Sequence, residues 1–235
     1  MQVFYAPGIT GDNWILDEKE SKHLIRVMRL GKGSAVRLID GKGNLYEGII
    51  DDPDQSGCSI KVISVKNDFD KRNYRLHIAI SPLKNPERFE WFTEKCVEIG
   101  IDEITPVICR NTEKEKLKTE RIKSIIISAM KQSLKTWLPV LNEPVAFSEF
   151  VSSAHQGKKM IAHCNGTLNR KKINEVCSPG DDVLIMIGPE GDFSEKEISL
   201  AESKGFTAVH LGNSRLRTET AGIAACHSIY FLNQK

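Results

Sequence analysis

The pattern of hydrophobic and polar positions differs between the first third of the chain and the rest. Up to about residue 70, short apolar runs are separated by turn-forming residues, and the clearest runs span residues 35–39, 45–50 and 59–65. Asp40-Gly41 separates the first two runs and favours a hairpin, because glycine supplies the positive φ that tight primed turns need. Short strands with regular turn signals are typical of a small β-barrel, which we predict for residues 1–70.

After residue 74, apolar runs of strand length alternate with segments of helical periodicity. Asn85-Pro86 is a helix-start signal and Gly100 is a stop signal, so a helix is predicted between them. A capping box predicts the start of another helix at Ser194. Strands are predicted near residues 75–80, 104–109, 160–164, 183–187 and 208–211, and further helices near 21–28, 122–130, 171–176 and 218–232. This alternation predicts an α/β domain with a parallel sheet over residues 74–235.

Two glycine-containing breaks directly follow two of the predicted strands. Residues 187–191 read Ile-Gly-Pro-Glu-Gly, and residues 211–214 read Leu-Gly-Asn-Ser. Ligands of open α/β sheets bind at the carboxyl ends of the strands, so the breaks predict a ligand site, with two ordinary turns as the alternative. The glycine spacings of dinucleotide-binding and phosphate-binding loops are absent, which disfavours NAD and ATP.

Composition excludes several classes of protein. The hydrophobic content of 40% and charged content of 27% are ordinary for a soluble globular protein, and no apolar run is long enough to span a bilayer. The first residues lack the pattern of a signal peptide, so we expect a cytoplasmic protein. The six cysteines form no C-x-x-C pair, so we expect reduced core residues and no metal site.

Basic residues are concentrated in two segments, although the net charge is only +2. The first segment contains Lys22, Arg26, Arg29, Lys32, Arg37 and Lys42, and the second contains Arg110, Lys114, Lys116, Lys118, Arg121, Lys123, Lys131 and Lys135. Two clusters of positive charge on a nearly neutral protein favour a polyanionic partner. For either segment alone, the alternative explanation of its basic residues is a helix face exposed to solvent.

The second glycine-containing break is followed by Leu-Arg-Thr-Glu-Thr-Ala at residues 216–221. Together, residues 187–191, 211–212 and 216–221 resemble the signature of SPOUT-class methyltransferases of the RsmE type, which modify N3 of a uridine in 16S rRNA. The resemblance extends along most of the chain, to the segment from His23 to Arg29, to Lys95, Glu98, Gly100 and Pro106, and to Ala129, Gln132, Ser133 and Pro139. The family usually has glycine in place of Asp192, arginine in place of Lys135 and an aliphatic residue in place of Arg215.

The resemblance implies a PUA-like barrel that binds RNA, followed by an α/β domain with a trefoil knot that binds S-adenosylmethionine (SAM). It also implies a homodimer acting on 16S rRNA of the 30S subunit, with neither DNA nor a membrane as partner. The implied cofactor-binding residues are Ile187, Gly188, Pro189, Glu190, Gly191, Leu211, Gly212, Leu216, Arg217 and Thr218. The implied RNA-binding residues are Arg26, Arg29, Lys84, Lys95 and Gln132.

Two residues of the signature are candidates for catalysis. Methyl transfer to uridine N3 requires loss of the N3 proton and stabilisation of the negative charge on the base. Arg217 is a candidate for that stabilisation, and holding a phosphate is the alternative role. Glu219 is the candidate base, and a carboxylate placed favourably in the first turn of a helix is the alternative. Glu190 could face the cationic sulfonium of SAM or bond the neighbouring loop.

Two other functions remain open on the sequence alone. A methyltransferase of the same class could act on another target, such as a ribose 2′-hydroxyl or a tRNA base. A protein of this kind could also be a catalytically silent RNA-binding protein that has lost its cofactor.

Overall fold

The computed structural model describes residues 3–165 and 169–234, and it divides the chain into two compact units. The first unit comprises Met1–Lys71 and Ile127–Leu138, and the second comprises Arg72–Ile126 and Pro139–Lys235. The division after Lys71 lies between the predicted barrel, residues 1–70, and the predicted α/β domain, residues 74–235. Residues 127–138 are grouped with the first unit, although the sequence prediction places them in the α/β domain.

The first unit contains a curled, mixed sheet of short strands. The strands are β1 (Val3–Tyr5), β2 (Asn13–Ile15), β3 (Ala35–Ile39), β4 (Leu45–Asp52) and β5 (Ser59–Lys66). Their order is β1-β3-β4-β5-β2, and the pairs are antiparallel except for β1 with β3. The core contains Phe4, Leu16, Leu24, Leu38, Ile50 and Ile60. The three strands predicted in this region are therefore present, with ends that differ by at most two residues.

The helix predicted near residues 21–28 begins earlier in the structure and changes its helix type along its length. Helix α1 (Glu18–Lys22) begins at Asp17, whose side chain accepts a hydrogen bond from the Glu20 N–H at 2.7 Å. A π-helical turn, His23–Val27, continues it. Arg29 then adopts a left-handed conformation with φ 55°, which ends the helical segment.

The second unit is built around a parallel sheet. Its strands are β6 (Leu76–Ile80), β7 (Glu103–Ile108), β8 (Val140–Leu141), β9 (Val145–Ala146), β10 (Lys158–Ala162), β11 (Lys171–Lys172), β12 (Val183–Ile187) and β13 (Thr207–His210). Their order is β11-β13-β10-β12-β6-β7-β8, and β9 also pairs with β7. Every described residue pairing in this sheet is parallel. The fold class predicted from the sequence, a small barrel followed by an α/β domain with a parallel sheet, is confirmed.

Local sequence signals account for the helix ends. The longer helices are α2 (Pro86–Ile99), α3 (Thr119–Gln132), α5 (Glu195–Ser203) and α6 (Thr218–Leu232), and α4 (Phe147–Ser152) is short. Asn85 caps α2 and Gly100 ends it with φ 123°, as predicted. Ser194 and Glu197 form the predicted capping box of α5. The helix predicted near 171–176 is wrong in part, because residues 171–172 form β11 and only Ile173–Glu175 form a 3₁₀ turn.

The strand order determines where a ligand can bind. Strands β13, β10 and β12 are neighbours and run in the same direction, so their carboxyl ends meet at one edge of the sheet. All five residues of β12 are buried. The segments that follow these three strands contain both glycine-containing breaks. In the part of the chain that the structure describes, no helix is long and apolar enough to cross a membrane.

Candidate functional site

A cavity of about 420 Å³ lies at the carboxyl ends of β10, β12 and β13. Its walls come from the segment after each of these strands and from the start of α6. They include Ala162, His163 and Cys164 at the end of β10 and after it, Ile187 to Glu190 and Asp192 at the end of β12 and after it, and His210, Leu211, Gly212, Ser214 to Thr218 and Ala221 around β13 and α6. Arg88 of α2 and Arg170 complete the lining. Residues of both glycine-containing breaks therefore line the same cavity.

Except for Gly191, every residue that the sequence predicts to bind the cofactor lines this cavity. Gly191 lies against Asn111, whose side-chain amide donates to the Gly191 carbonyl oxygen at 3.2 Å. Gly212 has φ 112°, a conformation that disfavours any residue with a side chain. A Cβ atom added at Gly212 would have no neighbour within 4 Å among the described residues, so its backbone lies beside open space, and its N–H donates to Nδ1 of His210 at 3.2 Å.

Asp192 connects the segments after β10 and β12. One carboxylate oxygen accepts a hydrogen bond from the Cys164 N–H at 2.7 Å, and the other accepts one from the Phe193 N–H at 2.8 Å. Asp192 has φ 63°, in the left-handed region that glycine adopts without cost. The residue that departs from the family pattern therefore keeps a backbone suited to glycine and adds two hydrogen bonds.

His163 is a buried polar residue of the cavity wall that sequence reasoning does not identify. Its side chain is almost fully buried, and neither ring nitrogen has a hydrogen-bond partner among the described residues. Burial lowers the pKa of His163, and the nearby Asp192 opposes this effect. The imidazole is therefore neutral near pH 7 and can offer one donor and one acceptor to a bound molecule.

The two candidate catalytic residues differ in exposure. Arg217 is exposed, precedes α6 and lines the cavity. Glu219 is buried in the first turn of α6 and is not part of the cavity lining. Its Oε1 lies 3.7 Å from Nε of Arg88, and its buried Oε2 has no hydrogen-bond partner among the described residues. Arg88, which the sequence pattern does not indicate, thus both pairs with Glu219 and lines the cavity.

The cavity carries an excess of positive charge. Four arginines line it, Arg88, Arg170, Arg215 and Arg217, together with two carboxylates, Glu190 and Asp192. Both Asp192 oxygens are occupied by backbone N–H groups. Arg215, whose charge is unexpected at a packed position, is exposed and faces this cavity. Such a site is suited to an anionic ligand beside any cofactor.

The residues predicted to bind RNA do not line the cavity. In the first unit, Arg26 donates to the Gln55 side chain at 2.5 Å, and Gln132 is exposed. In the second unit, the ammonium of Lys84 lies 2.8 Å from Glu113, and its backbone N–H donates to Glu190 at 3.1 Å. Lys95 donates to Glu94 and Glu98 at 2.7 and 2.8 Å, and Arg29 is exposed beside α1. No arrangement of three or more metal-ligating side chains occurs among the described residues.

Comparison with known proteins supports an RNA-modifying function. A family model described as an RNA methyltransferase domain matches residues 70–230, and one described as an RNA methyltransferase PUA domain matches residues 16–63. Two curated relatives are "Ribosomal RNA small subunit methyltransferase E" of Aquifex aeolicus, 28% identical over 95% of this chain and 96% of the relative, and "Ribosomal RNA small subunit methyltransferase E 2" of Borreliella burgdorferi, 31% identical over 94% and 92%.

Solved structures with the same architecture cover nearly the whole chain. A probable rRNA methyltransferase of Porphyromonas gingivalis is 39% identical with a TM-score of 0.93, over 99% of this chain and 98% of that one. The ribosomal RNA small subunit methyltransferase E of Neisseria gonorrhoeae, bound to S-adenosyl methionine, is 26% identical with a TM-score of 0.89, over 99% and 98%. A putative methyltransferase of Legionella pneumophila, in complex with the cofactor SAM, is 29% identical with a TM-score of 0.86, over 97% and 96%.

Proposed function

This chain belongs to the RNA methyltransferase family, and we propose that it transfers a methyl group from SAM to N3 of a uridine in 16S rRNA of the small ribosomal subunit. Family membership confirms the RsmE-type resemblance that the sequence predicts. The match to an RNA methyltransferase PUA domain supports RNA binding by the first unit. The choice of N3 rests on the signature at residues 187–191, 211–212 and 216–221.

The observation that carries the proposal is that these separated signature segments enclose one cavity. Its volume of about 420 Å³ lies within the range of small-molecule sites, about 300–1,000 Å³. Gly212 leaves open space beside its backbone, and the His163 ring nitrogens in the wall have no hydrogen-bond partner among the described residues. These features fit SAM, a ligand with a flat adenine, a polar ribose and a charged tail.

Methyl transfer to N3 requires particular roles of the residues around the cavity. SAM supplies an electrophilic methyl group, so that the N3–CH₃ bond forms as the CH₃–S bond breaks and its electron pair stays on sulfur. The uridine must be unpaired, because N3 lies on its Watson–Crick edge. We propose that Arg217, which is always charged and lines the cavity, stabilises the anion that remains after N3 loses its proton. Glu190, on the cavity wall, accepts a hydrogen bond from the Lys84 N–H of a neighbouring loop at 3.1 Å, and we propose that it also faces the sulfonium.

The role of Glu219 as the base stays a prediction. A general base must come within hydrogen-bond reach of the proton it removes. The Glu219 side chain is 7% exposed and lies outside the cavity lining, so this role requires its carboxylate to reach N3 from a buried position.

The RNA contacts and the assembly are further parts of the proposal. We propose that Arg26, Arg29, Lys84, Lys95 and Gln132 contact RNA phosphates, which fix register without reading sequence. Lys84 and Lys95 would exchange carboxylate partners for phosphates. We also propose a homodimer in the cytoplasm that acts on the 30S subunit. Phe231, at the end of α6, is 69% exposed, and a subunit interface would cover it.

A deletion strain tests the substrate assignment directly. Nucleoside mass spectrometry of its 16S rRNA should show loss of 3-methyluridine and recovery on complementation. Unchanged 3-methyluridine with loss of a ribose-methylated or tRNA nucleoside would support the other methyltransferase function. Calorimetry that detects no binding of SAM or of its demethylated product would support a silent RNA-binding protein.

A further inference from the structure

Helices α2 and α6 pack side by side with their first turns together. A Cβ atom added at Gly222 would lie 2.5 Å from the Phe92 ring, so the glycine permits close approach of the helices. One turn further along, the Cys226 thiol donates to the Cys96 carbonyl oxygen at 3.8 Å. The matched positions, each about one turn from the next, are Arg88 with Glu219, Phe92 with Gly222, and Cys96 with Cys226. The relative position of Arg88 and Glu219 is therefore fixed by packing further along both helices.

The buried carboxylate of Glu219 interacts with the guanidinium of Arg88. A buried carboxylate is costly unless it is paired, and one Glu219 oxygen has no hydrogen-bond partner among the described residues. Two positive groups compensate it, which are the Arg88 guanidinium at 3.7 Å and the N-terminal end of α6. The carboxylate thus acts on a guanidinium that itself reaches the cavity.

Arg88 connects this buried pair to the cavity. Its side chain is 39% exposed, it lines the cavity, and it directs Nε towards Glu219. A guanidinium has five N–H donors in a rigid plane, so the terminal nitrogens stay available to a ligand while Nε faces the carboxylate. Arg88 can therefore contact the substrate base from a fixed position.

We infer that Arg88 is a catalytic residue that stabilises the deprotonated uracil together with Arg217, and that Glu219 is a positioning residue that orients Arg88 rather than the base. The inference rests on the proposed function. The N3 proton passes to water, the negative charge spreads over N3 and the two carbonyl oxygens, and the N3 electron pair then forms the bond to the methyl carbon. A guanidinium facing the base lowers the energy of this anion, whereas a carboxylate facing it would raise that energy.

The test compares Arg88→Ala, Arg88→Lys, Glu219→Gln and the double variant Arg88→Ala/Glu219→Gln in single-turnover assays. The assay measures 3-methyluridine formation in unmodified small-subunit rRNA between pH 6 and 9. Arg75→Ala is the matched control, because Arg75 pairs with Glu103 at 2.7 Å at the opposite end of the strands. Melting temperature and calorimetric SAM affinity are measured for every variant, so that loss of folding or of cofactor binding is recognised.

Arg88→Ala should slow the reaction by about 10²–10³-fold, as removal of a single charge-stabilising donor does. It should also raise the apparent pKa of the rate profile by about 1 or more, because the uracil loses a nearby cation. Arg88→Lys should recover part of the rate. Glu219→Gln should cost no more than about tenfold, and the double variant should be no slower than Arg88→Ala alone, since Glu219 acts through Arg88.

The opposite pattern overturns the inference. If Glu219→Gln abolishes the reaction and its pH dependence while Arg88→Ala stays within threefold of wild type, Glu219 is the base. Arg88 variants with a normal melting temperature and unchanged rate also refute the assignment. If the wild-type protein itself forms no 3-methyluridine, the proposed function fails instead.

Discussion

Replacement of Asp192 tests how this chain departs from its family at the cavity wall. Its two hydrogen bonds to backbone N–H groups have a charged acceptor, and each such bond contributes about 1.5–3 kcal/mol. The lower value applies because Cys164 is exposed and Asp192 is half-buried. Asp192→Ala should therefore lower the free energy of unfolding by about 3 kcal/mol.

The backbone conformation separates three substitutions at this position. Glycine loses both hydrogen bonds but relieves the left-handed strain at φ 63°, which recovers about 1 kcal/mol. Asparagine tolerates this conformation and can still accept one of the two bonds, so it should lose about 1.5 kcal/mol. The predicted order of stability is Asp192, then Asn, then Gly, then Ala.

Calorimetric unfolding measures this order. For a unit of about this size, 1 kcal/mol shifts the melting temperature by about 2–4 °C, so the alanine variant should melt about 6–12 °C lower. SAM affinity should decrease in the same order, because Asp192 holds the segments after β10 and β12 together. A glycine variant more stable than wild type, or an alanine variant of unchanged melting temperature, would show that the two bonds contribute nothing.

Two further predictions concern packing and pH. Gly222→Ala inserts a methyl group 2.5 Å from the Phe92 ring, so it should lower the free energy of unfolding by about 1–3 kcal/mol. It should also slow methylation more than Phe92→Leu does. Equal methylation rates for the two variants would contradict the role of the α2–α6 contact. Burial lowers the pKa of His77 to about 4, so the unfolded chain binds the proton first as the pH falls from 6.5 to 4. The free energy of unfolding should fall by about 3 kcal/mol across this window, and denaturant titrations of His77→Gln should show a flatter dependence.

Local signals in the sequence were sufficient for the elements around the site. Asn85-Pro86 and Gly100 delimit α2 as predicted, and the capping box at Ser194 starts α5. These signals work because each end of a helix leaves backbone groups that nearby residues must satisfy. The glycine-containing breaks likewise predict the cavity, because both follow strands that turn out to be close neighbours.

Other features depend on contacts that sequence spacing does not reveal. Arg88 becomes a site residue only because α2 packs on α6, and His163 only because β10 ends between β12 and β13. The helix expected near residues 171–176 is replaced in part by β11, since pairing with β13 overrides the local helical preference. Asp192 could be recognised as unusual from the resemblance, but its bond to Cys164 joins residues far apart in the chain.

This chain is proposed to methylate N3 of a uridine in 16S rRNA. The most direct measurement incubates the purified protein with SAM and small-subunit rRNA that lacks the modification, followed by nucleoside mass spectrometry of the digested RNA. We expect 3-methyluridine as the product, and its absence when SAM is omitted. A ribose-methylated nucleoside, or no methylated product from a protein that binds SAM and RNA, would contradict the proposal.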